Sequence, residues 1–111
     1  MISDLGLMRL ADYVLDFCKL NGVEHIFYLP GGAAMHLNDA LAKVDEIEAV
    51  TCLHEQACAI AAEAYARISE KVGVVMVTSG PGTTNTITGL AGAWLDSTPV
   101  FFCLGRLKLL T

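Results

Sequence analysis

The sequence has little charge, few aromatic side chains and few prolines. Charged residues make up 17% of the 111 residues and aromatic residues 7%, and there are 3 prolines. The net charge is -5, and the 7 basic residues form no stripe that could follow a nucleic acid backbone. The longest apolar runs, Val72 to Gly82 and Ser97 to Gly105, contain glycine and proline and fall short of the roughly 20 apolar residues that a membrane span needs. We therefore expect neither a nucleic acid nor a membrane as a partner.

The sequence also lacks the layout of a secretory signal and any Cys-x-x-Cys spacing. Its start, Met1-Ile2-Ser3-Asp4, carries an acid where a signal peptide is basic and then apolar. Zinc binding through Cys52, His54 and Cys58 would need a fourth ligand, and none stands nearby. Four cysteines occur in apolar or helical contexts that are typical of reduced core residues: Cys18, Cys52, Cys58 and Cys103. We expect a cytoplasmic protein that holds no metal ion of its own in this segment.

Apolar residues, in contrast, are abundant. They make up 54% of the chain, whose 111 residues suffice for one domain and are too few for two. A small domain has much surface for its volume and normally needs more polar cover than this. The composition therefore predicts that a partner covers part of the surface.

Apolar periodicity predicts a leading helix followed by strands and helices in alternation. The run of Val and Met from Val72 to Thr78 is typical of a strand buried on both faces, as in a parallel sheet covered by helices. We therefore predict an open, mostly parallel α/β sheet with helices on both faces. Within the third helix, Glu63 and Arg67 have the spacing of an ion pair. The predicted helices span residues 4–20, 35–43, 55–68 and 83–95, and the predicted strands span 25–29, 48–53, 72–78 and 99–104.

Three segments stand where a strand gives way to a helix, which is where open α/β sheets bind ligands. They are Pro30-Gly31-Gly32-Ala33, His54-Glu55-Gln56 and the stretch from Thr78 to Asn85. The third is a near miss to the dinucleotide fingerprint, with Asn85 in place of the last glycine, and it is also explained as a tight turn. Glu55 is also explained as an acid that the dipole of a helix favours. The residues alone leave these alternatives open.

Taken together, the segments resemble the N-terminal domain of thiamine-diphosphate enzymes, most closely the acetolactate synthase-like branch. The resemblance covers most of the chain in collinear order, which makes it far more specific than one glycine motif. The stretch from Met35 to Asp39 resembles a less characterised subgroup of that branch. The matching segments are Gly22 to Phe27, Pro30 to Ala33, His54 to Gln56, Ala62 to Arg67, Gly73 to Asn85, Ile87 to Gly89, Ala93 to Ser97 and Pro99-Val100.

The resemblance implies that Glu55 is the catalytic residue. In the family this glutamate hydrogen-bonds a ring nitrogen of the cofactor's aminopyrimidine. Sharing a proton there favours the imino tautomer, whose exocyclic nitrogen takes the proton from the thiazolium carbon, and the carbanion so formed attacks a 2-oxo acid. The resemblance thus implies carboligation or decarboxylation, the work of a transferase or lyase. A buried position would raise the pKa of Glu55 against the pull of the helix N-terminus.

The resemblance also implies which residues surround the cofactor. Gly31 and Gly32 are expected beside the thiazolium and the substrate, where a missing side chain lets the backbone approach closely. The family's active site forms between two subunits, of which the other supplies the diphosphate and its Mg2+. The residues expected to line the pyrimidine side are Thr78, Ser79, Gly80, Pro81, Gly82 and Asn85.

Compared with the family, residues 1–111 are expected to be a truncated pyrimidine-binding domain. Gly105 is followed by Arg106, where the family usually shows Gly-Gln. The domain that holds the diphosphate and Mg2+, and the middle domain that holds FAD in acetolactate synthases, have no counterpart in the sequence. We therefore expect the isolated chain to be inactive and to need a homodimer partner or a separate diphosphate-binding domain. The alternatives are a non-catalytic interaction module and a small dinucleotide-binding domain.

Overall fold

The fold is built on one parallel sheet, seen in a computed structural model that describes residues 9–105. The strands pair in the order β2-β1-β3-β4, and every pairing is parallel. The predicted open α/β architecture is therefore confirmed. The strands are β1 (His25–Tyr28), β2 (Glu48–Thr51), β3 (Gly73–Val77) and β4 (Val100–Leu104), and the helices are α1 (Leu10–Leu20), α2 (Met35–Ala42), α3 (Glu55–Ser69), α4 (Pro81–Thr84) and α5 (Ile87–Leu95).

Strand β3 divides the core into two layers. All of its residues are buried, as predicted for a strand covered on both sides. Successive side chains of a strand point to opposite faces. Val74 and Met76 accordingly pack with buried residues of α1 and α2, whereas Val75 and Val77 pack with Cys58 and its neighbours in α3. Helices therefore cover both faces of the sheet.

The contact between α3 and α5 depends on small residues. A Cβ atom added to Gly89 of α5 would lie 2.3 Å from the Cβ of Ala59 in α3, so that only glycine allows this approach. The larger apolar side chains of α5 point away from α3. Ile87, Leu90 and Trp94 are exposed, Trp94 to 80%. With Leu95, also exposed, they form what we call the α5 stripe.

The second and third predicted helices match the structure to within one residue, whereas the first and the last differ from their predicted bounds by more. The helix predicted over 83–95 is two helices, α4 and α5, separated at Asn85-Thr86. The Thr86 hydroxyl donates to the Thr83 carbonyl at 2.6 Å, and such local bonds compete with helical geometry. The first helix begins at Leu10 because Arg9 has an extended backbone. Its predicted start at Asp4 lies outside the described residues.

Charged side chains fasten the end of α3. Arg67 donates to Glu63 at 2.9 Å through Nε, which confirms the predicted pair, and it also bonds Asp96 after α5. Because all three side chains lie near the surface, this network contributes little to stability. None of the helices within residues 9–105 has the length and apolar character to cross a membrane.

Candidate functional site

The carboxyl edge of the sheet brings the three predicted segments together. Gly31 follows β1, Glu55 begins α3 after β2, and Thr78 follows β3. A Cβ atom added to Gly31 would lie 2.5 Å from the Cβ of Thr78, so the loops after β1 and β3 are in contact. This approach requires a residue without a side chain at position 31.

The second and third segments meet through a hydrogen bond between side chains. Nδ2 of Asn85 donates to Oε1 of Glu55 at 3.0 Å. The other carboxylate oxygen, Oε2, faces Gly82, where an added Cβ would lie 3.4 Å away. That Cβ would also lie 2.7 Å from Cγ2 of Thr78. The carboxylate of Glu55 therefore lies between the side-chain amide of Asn85 and the backbone of Gly82.

The start of α3 is fixed by a cap. His54 has an extended backbone, and its Nδ1 accepts a hydrogen bond from the backbone N–H of Gln56 at 3.0 Å. A side chain that accepts from the first turn stabilises a helix end, and an acid next to it interacts favourably with the dipole. The sequence identifies His54 only as a helix-start residue. In the structure its side chain caps α3 and so helps to fix the position of Glu55, the first residue of that helix.

The loop after β3 is held by its own hydrogen bonds. Gly80 adopts a left-handed backbone with φ of 70°, and Pro81 follows at the start of α4. Oγ1 of Thr83 donates to the carbonyl of Thr78 at 2.8 Å and closes the turn. Sequence reasoning did not single out Thr83. The signal for it is a hydroxyl residue directly after Gly-Pro-Gly, since such residues bond nearby backbone.

Glu55 has a lowered pKa, because hydrogen bonds outweigh the raising effect that was expected of a buried position. The main cause is the hydrogen bond from Asn85, followed by one from the backbone N–H of Glu55 itself, and His54 adds a smaller effect in the same direction. Burial opposes these effects, but Glu55 is only half-buried in this chain. The expected rise requires a buried position, which this chain alone does not give to Glu55, so the hydrogen-bond donors determine the direction of the shift. Glu55 is therefore ionised near neutral pH.

The structure brings five of the expected residues into one cluster: Gly31, Glu55, Thr78, Gly82 and Asn85. The remaining ones lie in the same loops. Gly32 has open space where a side chain would stand, so its backbone is accessible. Ser79 is half-buried behind the turn, and Gly80 and Pro81 are exposed on it. The residues of the cluster are therefore closely packed around Thr78, whereas the space next to Gly32 is unoccupied by protein atoms.

The zinc and dinucleotide interpretations gain nothing from the geometry of the described residues. Residues 9–105 contain no group of three or more His, Cys, Asp or Glu side chains that could hold a metal ion. Nδ1 of His54, a ligand of the zinc site considered above, is occupied by the helix cap. In the near miss to a dinucleotide motif, Asn85 bonds Glu55, and the helix that the turn opens has only 4 residues.

Fold and site together define a class of protein. An open parallel sheet carries, at its carboxyl edge, an ionised glutamate between an asparagine and a glycine turn. That edge is where proteins of this architecture bind cofactors and substrates. The chain is thus an open parallel α/β domain with its candidate site at the carboxyl edge of the sheet.

Comparison with known proteins gives the family. The model of the thiamine pyrophosphate enzyme N-terminal TPP binding domain matches residues 8–107. The chain belongs to this family, and within it to the acetolactate synthase-like members. The acetolactate synthase large subunit of Buchnera aphidicola subsp. Schizaphis graminum is 49% identical over 96 residues, 86% of this chain and 17% of the relative.

Two further relatives agree. The acetolactate synthase isozyme 2 large subunit of Escherichia coli K12 is 47% identical over 101 residues, 91% of this chain and 18% of that protein. The chloroplastic acetolactate synthase of Arabidopsis thaliana is 45% identical over 96 residues, 86% of this chain and 14% of the relative. The chain spans less than a fifth of the length of these relatives.

Proposed function

We propose that this chain binds the aminopyrimidine of thiamine diphosphate through Glu55, as part of an acetolactate synthase-like enzyme that acts on 2-oxo acids by carboligation or decarboxylation. The observation that supports this most is the bond from Asn85 to Oε1 of Glu55, with Oε2 left facing Gly82. One oxygen of the carboxylate is thereby fixed, and the other remains for a ligand.

The residues present fit such a cofactor. The thiazolium and the substrate are proposed to lie against backbone without side chains, and Gly32 offers this because the space at its Cα is open. Gly31, also proposed to lie beside the thiazolium, shares a second role with Gly82, because a side chain at either would meet Thr78. They allow the loops to close behind Glu55, while Ser79, Gly80 and Pro81 form the rim.

Glu55 acts as an acid and base in this proposal. When bound, thiamine diphosphate supplies the electron sink that bond cleavage next to the carbonyl of a 2-oxo acid requires. Asn85 holds Oε1, so that Oε2 would be the oxygen that holds the ring nitrogen of the cofactor and exchanges a proton with it. A partner that covers the site removes water from the carboxylate and raises the pKa of Glu55, against the hydrogen bonds that now lower it. A raised pKa would allow Glu55 to act both as acid and as base toward the cofactor.

The other half of the site is proposed to come from a partner. Within this proposal the diphosphate and Mg2+ belong to a separate domain, in a homodimer or on another chain, and FAD belongs to a middle domain. The α5 stripe supports a partner, because four large apolar side chains on one helix are exposed. Without that partner the chain is proposed to be inactive.

A chimera tests this function. Residues 1–111 replace the matching segment of the Escherichia coli isozyme 2 large subunit, which supplies the rest of the polypeptide. We expect the purified chimera to form acetolactate from pyruvate only when thiamine diphosphate is added. A folded chimera of normal oligomeric state that forms no product would contradict the proposal. The parent enzyme and a chimera with an unrelated α/β domain serve as the controls.

A non-catalytic interaction module is the second candidate, and the α5 stripe is the observation that favours it. Under this proposal the chain binds a diphosphate-binding domain whether or not Glu55 is intact. Purification of the chain with the separately produced remainder of the same relative distinguishes the two. Stable binding without restored activity supports the module, whereas binding with restored activity supports the enzyme.

A further inference from the structure

Strand β4 forms one edge of the sheet in the part of the chain that the structure describes. Two backbone bonds show which of its groups face β3. The carbonyl of Pro99 accepts from the N–H of Gly73 at 3.0 Å, and the N–H of Gly105 donates to the carbonyl of Val77 at 2.8 Å. Backbone groups of successive residues in a strand point to opposite sides. The residues of β4 whose N–H and C=O groups point away from the sheet are therefore Val100, Phe102 and Leu104.

The side chains make this edge apolar. Residues 97–105 contain no charged side chain. Within β4, Phe101 is 41% exposed and Leu104 is 44% exposed. An uncharged, apolar edge strand with free backbone groups is a template on which another strand can pair.

The opposite edge of the sheet, strand β2, has a different character. Glu48 lies within the strand, Asp45 and Glu46 lie just before it, and all three side chains are exposed. Charged side chains protect an edge strand from pairing. Of the two edges, β4 is therefore the one that favours a second strand.

An apolar cleft lies beside the β4 edge. Val74 and Met76 of β3 pack in the layer that contains α1 and α2. Phe101 and Cys103 pair in register with them, so their side chains lie on the same face of the sheet. Cys103 also lines a cleft of about 480 Å³, which is closed on its other side by α1. The apolar residues of the cleft include Leu10, Val14, Leu37 and Cys103.

We propose that the β4 strands of two copies of this chain pair antiparallel, with Phe102 opposite Phe102 of the second copy. Val100 then stands opposite Leu104 of the second copy, so that each outward N–H of β4 meets an outward carbonyl. Phe101 stands opposite Cys103 of the second copy, and its ring enters the cleft that this cysteine lines. Strand β4 places no like charges opposite each other in this pairing.

The pairing closes on itself. It is two-fold symmetric and occupies the β4 edge of both copies, and the acidic β2 edge remains at each end of the joined sheet. The product is therefore a dimer with one continuous sheet and not a fibre. This interface does not use the α5 stripe, and it does not depend on the proposed function.

Sedimentation equilibrium of the 111-residue chain tests the dimer. We expect a monomer–dimer equilibrium. Leu104→Pro removes an outward N–H without removing a bond to β3, and it should raise the dissociation constant by about tenfold or more. Leu104→Val keeps this N–H and is the matched control. A chain that is monomeric at every concentration would overturn the proposal, as would polymers that grow beyond the dimer.

A variant of the α5 stripe distinguishes the two apolar surfaces. We expect Leu90→Glu to leave the dissociation constant of the dimer unchanged, because Leu90 lies on α5 and not on β4. A dimer that Leu90→Glu abolishes and Leu104→Pro leaves intact would place the contact on the α5 stripe. That result would overturn pairing through β4.

Hydrogen exchange of the unsubstituted chain gives a test that needs no variant. The amides of Val100, Phe102 and Leu104 should exchange slowly in the dimer and faster on dilution. The amides of Phe101 and Cys103, which face β3, should stay protected throughout and are the internal control. Outward amides that are unprotected in the dimer would overturn the proposal. Equal protection in the dilute monomer would do so too, because the chain itself would then cover the edge.

Discussion

Asn85 donates a hydrogen bond to Glu55 at 3.0 Å, although the two residues are 30 positions apart in the sequence. The bond joins the loop after β3 to the start of α3, and it is the largest cause of the lowered pKa of Glu55. One side chain thus fixes both the place and the charge of the carboxylate.

Removal of this bond is predicted to change the pKa of Glu55. Asn85→Ala should raise the pKa toward its usual value, and Asn85→Asp should raise it further because a second negative charge then faces the first. Titration of the Glu55 carboxyl by nuclear magnetic resonance measures this. Asn21→Ala, on the far side of the sheet at the end of α1, is the control. An unchanged pKa in both Asn85 variants would contradict the account.

The same bond makes the stability of the folded chain depend on pH. The folded chain holds the pKa of Glu55 below its unfolded value. The ionised carboxylate therefore stabilises the folded state, and this contribution is fully present above the unfolded pKa. It is lost as the pH falls through the folded pKa. We therefore expect Asn85→Ala to reduce stability at neutral pH and to make progressively less difference as the pH falls through the folded pKa, where the carboxyl becomes protonated in both states. Urea unfolding across this range measures the effect, and an equal loss at every pH would argue against it.

The contact between the loops after β1 and β3 is predicted to exclude a side chain at Gly31. Gly31→Ala should lower the free energy of unfolding by about 1–3 kcal/mol, because the new methyl group would overlap Thr78. Gly32→Ala is the matched control, since open space surrounds its Cα. Urea unfolding of both variants measures the difference. Equal stability of the two variants would show that the loops are not in contact.

The α5 stripe is predicted to bind a partner. Leu90→Glu should leave the free energy of unfolding of the isolated chain within about 0.5 kcal/mol of the parent, because surface substitutions have small effects. It should abolish binding of the remaining domains, because a charge then enters an apolar interface. Ile68→Glu on α3, at a side chain that is 87% exposed, is the control. Sedimentation of the mixtures measures binding, and equal binding by both variants would place the interface elsewhere.

The sequence predicts the fold because its strongest pattern, a nearly continuous apolar run, forms the strand at the centre of the sheet. The Val and Met run of β3 requires cover on both faces, and the glycine turns mark where strands end. Which face of α5 is exposed could not be predicted in this way. Small residues such as Gly89 form the contact with α3, and periodicity alone does not show that this face points inward. Packing between helices decides that.

The sequence also predicts which segments meet, but not how. Parallel strands place their carboxyl ends on one edge, which brings Gly31, Glu55 and Thr78 together. The bond from Asn85 depends on where the helix breaks after α4, and threonine hydroxyls determine that break. The direction of the pKa shift of Glu55 could not be predicted from the sequence, because the exposure of its carboxylate and its hydrogen-bond donors are properties of the folded chain.

Turnover of the chimera that carries Glu55→Gln tests the central claim most directly. A glutamine keeps the shape of the side chain and its acceptor for Asn85 but cannot exchange a proton. We predict that acetolactate formation falls by about 100-fold or more at saturating thiamine diphosphate, since general acid–base groups contribute this much. Glu46→Gln, at an exposed glutamate after α2, should leave turnover unchanged. Full turnover by the Glu55→Gln chimera would contradict the account.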